Sequence, residues 1–251
     1  MLQFTEREVI ICRDVNELNR KAAQQFIALA GEAISQTGRF TVALSGGSTP
    51  KGLYASLATP EYRNRVDWSR VHLFWGDERC VPPDHPESNF RMVQESLLSK
   101  IQIPFENVHR MMGEKEPEQA ATEYEEHLRQ FFHLPRGGVP RFDLIFLGLG
   151  EDGHTGSLFP DTAALNEKEH LVATVYVEKL KAHRLTLTLP VINAAARIIF
   201  LVTGQSKSTV VNKLLSADSK SQNYPATKVS PANGHVTWLM TQDAARELSA
   251  R

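Results

Sequence analysis

Three short segments hold most of the side chains that could do chemistry. The first is Gly148-Leu149-Gly150-Glu151-Asp152-Gly153-His154-Thr155-Gly156-Ser157-Leu158-Phe159-Pro160, which surrounds a histidine with glycines and places a carboxylate two residues before it. Imidazole is the side chain whose ordinary pKa best suits proton transfer near neutrality, and Asp152 is close enough to orient the His154 ring. Taken alone, the segment also fits a structural loop histidine, since eight others are present. The second segment, Ser45-Gly46-Gly47-Ser48-Thr49-Pro50, offers unpaired backbone N–H groups and small hydroxyls where a helix begins, an arrangement that holds a phosphate. It lacks the G-x-x-x-x-G-K-[ST] spacing of a nucleoside triphosphate loop, so a phosphorylated small molecule is the expected ligand; a flexible turn with an N-cap fits the same residues. The third, Gly76-Asp77-Glu78-Arg79, sets two carboxylates and a guanidinium together, either to orient a substrate or as a surface ion pair. Ser88, Asn89 and Arg91 follow it, and Arg184 and Lys207 add two cations able to neutralise a phosphate.

The first six residues of the histidine segment match G-x-G-x-x-G, the dinucleotide fingerprint. Pro160 argues against that reading, because it would break the long crossover helix a dinucleotide fold needs there. Glu167 and Glu169, near the spacing of a ribose-binding acid, lie in the polar run NEKEH and not at a strand end. No cofactor is therefore expected, and the histidines show no H-x-x-x-H or H-E-x-x-H spacing that would suggest a metal site. The 251 residues carry 28 basic and 29 acidic side chains, a net charge of -1, which excludes a broadly basic nucleic-acid binder. Cys12 and Cys80 form no C-x-x-C pair and suit a reducing compartment. With no stretch of 18 apolar residues and no signal-like N-terminus, a cytoplasmic protein without a membrane partner is expected.

Strands must end just before these segments to present them. Residues 40–44 read as a buried strand ahead of Ser45, with Pro50 where a first helical residue should stand and Leu53, Tyr54 and Leu57 on the helix that follows. Residues 71–75 form a second strand before a polar loop over 76–87 and a helix over 89–98. Residues 142–147 are the clearest buried strand and lead into Gly148. Upstream, the apolar run 9–12 precedes Asp14, a candidate N-cap, and Leu18, Ala22, Phe26, Ala30 and Ile34 recur at helical spacing. A helix is expected over 117–133, strands over 171–177, 185–189, 198–203 and 236–239, helices over 206–215 and 242–248, and a long surface loop over 216–233. Such alternation predicts an α/β fold, one doubly wound, mostly parallel sheet flanked by helices, with residues 1–251 as a single domain. Ligands of such sheets bind beyond the carboxyl ends of the strands.

Together, SGGSTP at 45–50, GDERCVP at 76–82, SN at 88–89, GLGEDGHTGSLFP at 148–160 and RLTLTLPVIN at 184–193 resemble the 6-phosphogluconolactonase family over most of the chain. The resemblance implies a Rossmann-like fold shared with the glucosamine-6-phosphate deaminases and isomerases, which carry similar S-G-G-[ST]-P and D-G-H loops. It implies hydrolysis of 6-phospho-D-glucono-1,5-lactone to 6-phosphogluconate, the second step of the oxidative pentose phosphate pathway, by a monomer or small homo-oligomer. Catalysis would fall to His154 and Asp152, and binding of the phosphorylated sugar lactone to Ser45, Gly46, Gly47, Ser48, Thr49, Asp77, Arg79, Arg184 and Lys207. A deaminase/isomerase-like enzyme is the alternative, but its loop carries an acidic residue five places after the histidine, where this chain has Phe159. A non-catalytic sugar-phosphate sensor is a third reading, against which the intact Asp152/His154 pair speaks.

Overall fold

The computed structural model describes residues 7–215 and 224–248. Strand β1 (Arg7–Cys12) gives way at Asp14, whose side chain accepts from the Glu17 N–H and caps helix α1 (Val15–Thr37). The chain continues through β2 (Phe40–Leu44), α2 (Ser48–Leu57), α3 (Pro60–Arg63), β3 (Val71–Trp75), β4 (Asp77–Arg79), α4 (Asn89–Ser96) and β5 (Val108–His109). It then forms α5 (Pro117–Phe131), β6 (Leu144–Leu147), β7 (Val172–Val177), β8 (Ala182–Leu187), α6 (Leu189–Ala194), β9 (Arg197–Val202), α7 (Ser208–Leu215) and β10 (His235–Thr241).

Seven strands form one parallel sheet in the order β1-β10-β9-β6-β2-β3-β5. Its central strands β2 and β6 are buried along their whole length, which is why they read as unbroken apolar runs and not as alternating ones. Phe26 of α1 covers one face, meeting Phe40 edge-on at 5.3 Å and stacking over Phe146 at 6.5 Å. Phe74 packs edge-on against Phe131 of α5 at 5.0 Å, so that helix is held through the third strand. From β2 the chain moves outward to β3, whereas β6 returns on the other side of β2 and leads toward β9. The order reverses between β2 and β6, and the loops leaving their carboxyl ends diverge to open a crevice. Residues 45–50, 76–79, 148–160 and 203–207 all leave the carboxyl ends of the four adjacent strands β2, β3, β6 and β9.

The structure departs from the sequence expectations in several places. The segment after Gly76 is not wholly a loop: β4 pairs antiparallel with β8, which pairs antiparallel with β7, giving a separate three-stranded sheet. Gly76 joins the two sheets, donating its N–H to Leu44 C=O at 2.8 Å and accepting from Leu187 N–H at 2.8 Å. The strand expected over 185–189 begins earlier and stops at Leu187, because Pro190 stands in the first turn of α6. The helix expected over 242–248 is a series of turns. Asp243 there accepts from the Thr241 hydroxyl and from Ala244 N–H, a local alternative to helix bonding. Of the expected loop over 216–233, residues 216–223 lie outside the described residues, and Pro225–Lys228 forms a 3-10 turn. Among the described residues no helix is long and apolar enough to cross a membrane.

Candidate active site

The turn after β2 is pinned from beneath. The buried Tyr54 hydroxyl accepts from Ser45 N–H at 3.0 Å and donates to Ser45 C=O at 2.9 Å, fixing where the chain leaves the sheet. Gly47 takes the N-cap position of α2 with φ of 104° and provides no side-chain cap, so N–H groups of the first turn stay open to a ligand. Gly46 must be glycine for a different reason: a Cβ there would lie 1.9 Å from the Asn89 side-chain oxygen. Thr49 is tied to Thr203 at the end of β9 by a hydroxyl pair at 2.6 Å.

The Asp77-Glu78-Arg79 triplet divides into two roles because successive residues of β4 face opposite ways. Glu78 points into the protein, where its carboxylate accepts from the N–H groups of Arg79 and Asn89 at 2.7 Å and Phe90 at 2.8 Å. It serves as the anchor for the start of α4; burial pushes its pKa up, and the N–H donors oppose that shift. Asp77 and Arg79 face the crevice. Asp77 is held by the Ser157 hydroxyl on one oxygen at 2.8 Å and by the Asn89 amide on the other at 3.4 Å. Arg79 lies opposite Arg184 in the β4–β8 register. Burial, followed by the Arg79 charge, lowers the Arg184 pKa. Among the described residues, the Nε atoms of both guanidiniums are buried without a hydrogen-bond partner. Two cations side by side with buried spare donors are a geometry that an anion completes.

His154 is brought back toward β6 by a tight loop in which Gly150 N–H donates to His154 C=O at 2.8 Å. Its Nδ1 lies 2.5 Å from Asp152 Oδ1, and Lys179 Nζ lies 2.5 Å from the other carboxylate oxygen. Partial burial alone would raise the Asp152 pKa, but the Lys179 and His154 hydrogen bonds outweigh it and hold the pKa at about 2. Because Asp152 is therefore an acceptor, Nδ1 of the neutral ring carries the proton and Nε2 keeps its lone pair. Burial lowers the His154 pKa more than the Asp152 contact raises it, so the ring is neutral at pH 7. Phe159 stacks on the imidazole at 4.2 Å. Gly150 leaves room for the pair, since a Cβ there would come within 2.0 Å of His154 Nδ1 and 2.6 Å of Asp152 Oδ1.

These parts meet around one cavity of about 240 Å³. Ser45, Gly46, Gly47, Ser48, Thr49, Asp77, Arg79, His154, Arg184 and Lys207 all line it. Asp152 stands behind His154 and is outside the lining, and Arg91 is turned away to Glu95 at 2.7 Å. Ser88 and Asn89 serve the start of α4, Ser88 as its N-cap. Lys207 lies 3.9 Å from Glu151, a long and weak ion pair. Sequence reasoning missed Lys179, Ser157 and Thr203. Lys179 is one of four basic residues in the stretch EKLKAHR, counting its histidine, and nothing in their spacing marks the one that reaches Asp152. Ser157 was visible in the histidine segment but carried no sign of its bond to Asp77, 80 residues away.

Residues 13–238 match the family model described as glucosamine-6-phosphate isomerases/6-phosphogluconolactonase. The chain is 44% identical over 218 residues to a 6-phosphogluconolactonase of Synechocystis sp., covering 86% of this chain and 88% of that protein. Among solved structures it is similar to the 6-phosphogluconolactonase of Trypanosoma brucei, with a TM-score of 0.86 and 28% identity over 98% of this chain and 100% of that one. A monomeric glucosamine-6-phosphate deaminase shares the fold, with a TM-score of 0.80 at 22% identity over 95% of this chain and 99% of that one. With its sheet order, its crevice and these matches over nearly its whole length, the chain belongs to the glucosamine-6-phosphate isomerase/6-phosphogluconolactonase family.

Proposed function

We propose that this protein hydrolyses 6-phospho-D-glucono-1,5-lactone to 6-phosphogluconate, the second step of the oxidative pentose phosphate pathway. The observation that carries the reading is a single cavity lined both by an imidazole whose Nε2 has no hydrogen-bond partner among the described residues and by Arg79 and Arg184, whose buried Nε donors likewise lack one there. The lactone supplies what each end needs: a carbonyl to be attacked and, several bonds away, a dianionic phosphate.

His154 Nε2 takes a proton from water as its oxygen bonds to the ring carbonyl carbon, and the carbonyl electrons move onto oxygen. The tetrahedral intermediate collapses, the bond from that carbon to the ring oxygen breaks, and the imidazolium returns its proton to the ring oxygen. The product acid then ionises to 6-phosphogluconate. Asp152 stabilises the imidazolium between these steps and fixes the tautomer. The open N–H groups at the start of α2, with Arg79, Arg184 and Lys207, hold the phosphate and so set the distance of the carbonyl from Nε2. Phe159, stacked on His154, supplies no carboxylate for the proton shuttling of aldose–ketose chemistry.

The test is direct. Purified protein is offered freshly made 6-phosphogluconolactone and, separately, glucosamine 6-phosphate, with acid and ammonia release followed against enzyme-free blanks. Faster lactone hydrolysis without ammonia is expected. Ammonia release would overturn the assignment in favour of the deaminase, and binding of 6-phosphogluconate without turnover would favour a sensor.

A further inference from the structure

Lys179 lies outside the cavity lining, on the 3-10 turn Glu178–Leu180 that joins β7 to β8. Its ammonium nevertheless touches both groups that hold His154. It sits 2.5 Å from Asp152 Oδ2 while Oδ1 takes His154 Nδ1, and 5.2 Å above the Phe159 ring that stacks on the imidazole. The four side chains close a loop: lysine on carboxylate, carboxylate on imidazole, imidazole on phenyl, phenyl under lysine. The turn that presents it ends at Lys181 in the left-handed region, φ 47°, so the backbone is held where the side chain can reach across.

We propose that Lys179 is a positioning residue that keeps His154 a competent base at mildly acidic pH, by anchoring the far oxygen of Asp152 and offsetting its charge. A bare carboxylate at 2.5 Å from Nδ1 would favour the imidazolium and block the base. The ammonium on the opposite oxygen withdraws part of that field while leaving the orienting hydrogen bond intact. The other groups around the ring act in known directions: the buried Asp77 favours the imidazolium, as Asp152 does, whereas burial and Lys179 oppose it. Arg79, Arg184 and Lys207 share the cavity and are unaltered by a change at Lys179. Because the Lys179 side chain is 58% exposed, its ion pair adds little to stability, and a purely structural role predicts almost nothing on removal.

The inference rests on the proposed lactonase reading only for its kinetic arm. Lys179→Met and Lys179→Arg are compared with the unaltered protein by NMR titration of the His154 Cε1–H, identified by its loss in His154→Gln, and by the pH dependence of kcat/KM on 6-phosphogluconolactone. In Lys179→Met the His154 pKa and the acidic limb of the profile rise together by roughly half a unit, so at the foot of that limb the rate falls up to about threefold further than on the plateau at pH 8. Lys179→Arg restores both, and Tm stays within about two degrees throughout. An unchanged or lowered His154 pKa in Lys179→Met, or no rescue by Lys179→Arg, overturns the proposal. Absence of lactone hydrolysis in the unaltered protein would defeat the lactonase reading while the NMR titration still decides the role of Lys179.

Discussion

Acidification from pH 7.5 to pH 5 should destabilise this fold through three imidazoles joined ring to ring. His72 on β3 places Nδ1 3.1 Å from Nε2 of His109 on β5, and His109 Nδ1 lies 2.7 Å from Nε2 of His127 on α5. His109 is 8% exposed and stacks on Phe74 at 4.2 Å. Burial, followed by the neighbouring His127 and His72, brings its pKa down to about 3, and burial lowers both neighbours as well. A depressed imidazole pKa means that the native state binds fewer protons than the unfolded chain below the ordinary value of 6.5. The stabilisation is complete above that pH and is lost as the pH falls toward 3. At pH 5 the unfolded His109 is protonated and the native one is not, a difference of 6.5 - 5 = 1.5 pH units, worth about 2 kcal/mol. His72 and His127 add to the loss in the same direction. Urea unfolding followed by circular dichroism at several pH values and fixed ionic strength measures it. His109→Phe keeps a ring against Phe74 but cannot take a proton, so its stability should fall by about 2 kcal/mol less between pH 7.5 and pH 5. Equal losses in the two proteins would refute the claim that His109 is held neutral.

The site makes its own predictions. His154→Gln should lower kcat on the lactone by about 10²–10⁴-fold with an unchanged circular dichroism spectrum, and near-normal turnover would remove His154 as the base. Arg184→Ala should raise KM for the phosphorylated lactone by roughly 10- to 100-fold, from the loss of charge-assisted bonds, and leave an unphosphorylated lactone almost unaffected. Equal losses on both substrates, in steady-state assays, would contradict the anchoring role. Gly150→Ala puts a methyl group 2.0 Å from His154 Nδ1 and should abolish turnover without unfolding the protein. Retained activity in that variant would show that the His154–Asp152 contact is dispensable.

The sequence by itself determined the parallel sheet and three of the loops at its carboxyl edge. Buried parallel strands have no solvent face and so no alternation, and residues 40–44, 71–75 and 142–147 could be recognised as strands without any partner, the last of them starting at Leu144 in the structure. Glycine-rich turns with a histidine or hydroxyls are equally local signals, so His154, Asp152 and residues 45–49 stood out as candidates, although their spacing alone fitted a loop histidine and an N-capped turn as well and the assignment came from the family resemblance. Tertiary structure decided what depends on partners far away in the chain. Glu78 and Asp77 are adjacent carboxylates, and only the antiparallel pairing of β4 with β8 turned one onto the start of α4 and the other toward the cavity. That same pairing set Arg79 against Arg184, 105 positions apart (184 - 79), which two isolated arginines could not announce. Lys179 reached Asp152 through the turn between β7 and β8, and Phe159 settled on the imidazole. Local geometry is written in neighbouring residues, whereas charge placement is fixed by strand pairing and burial, which act between segments the sequence keeps apart.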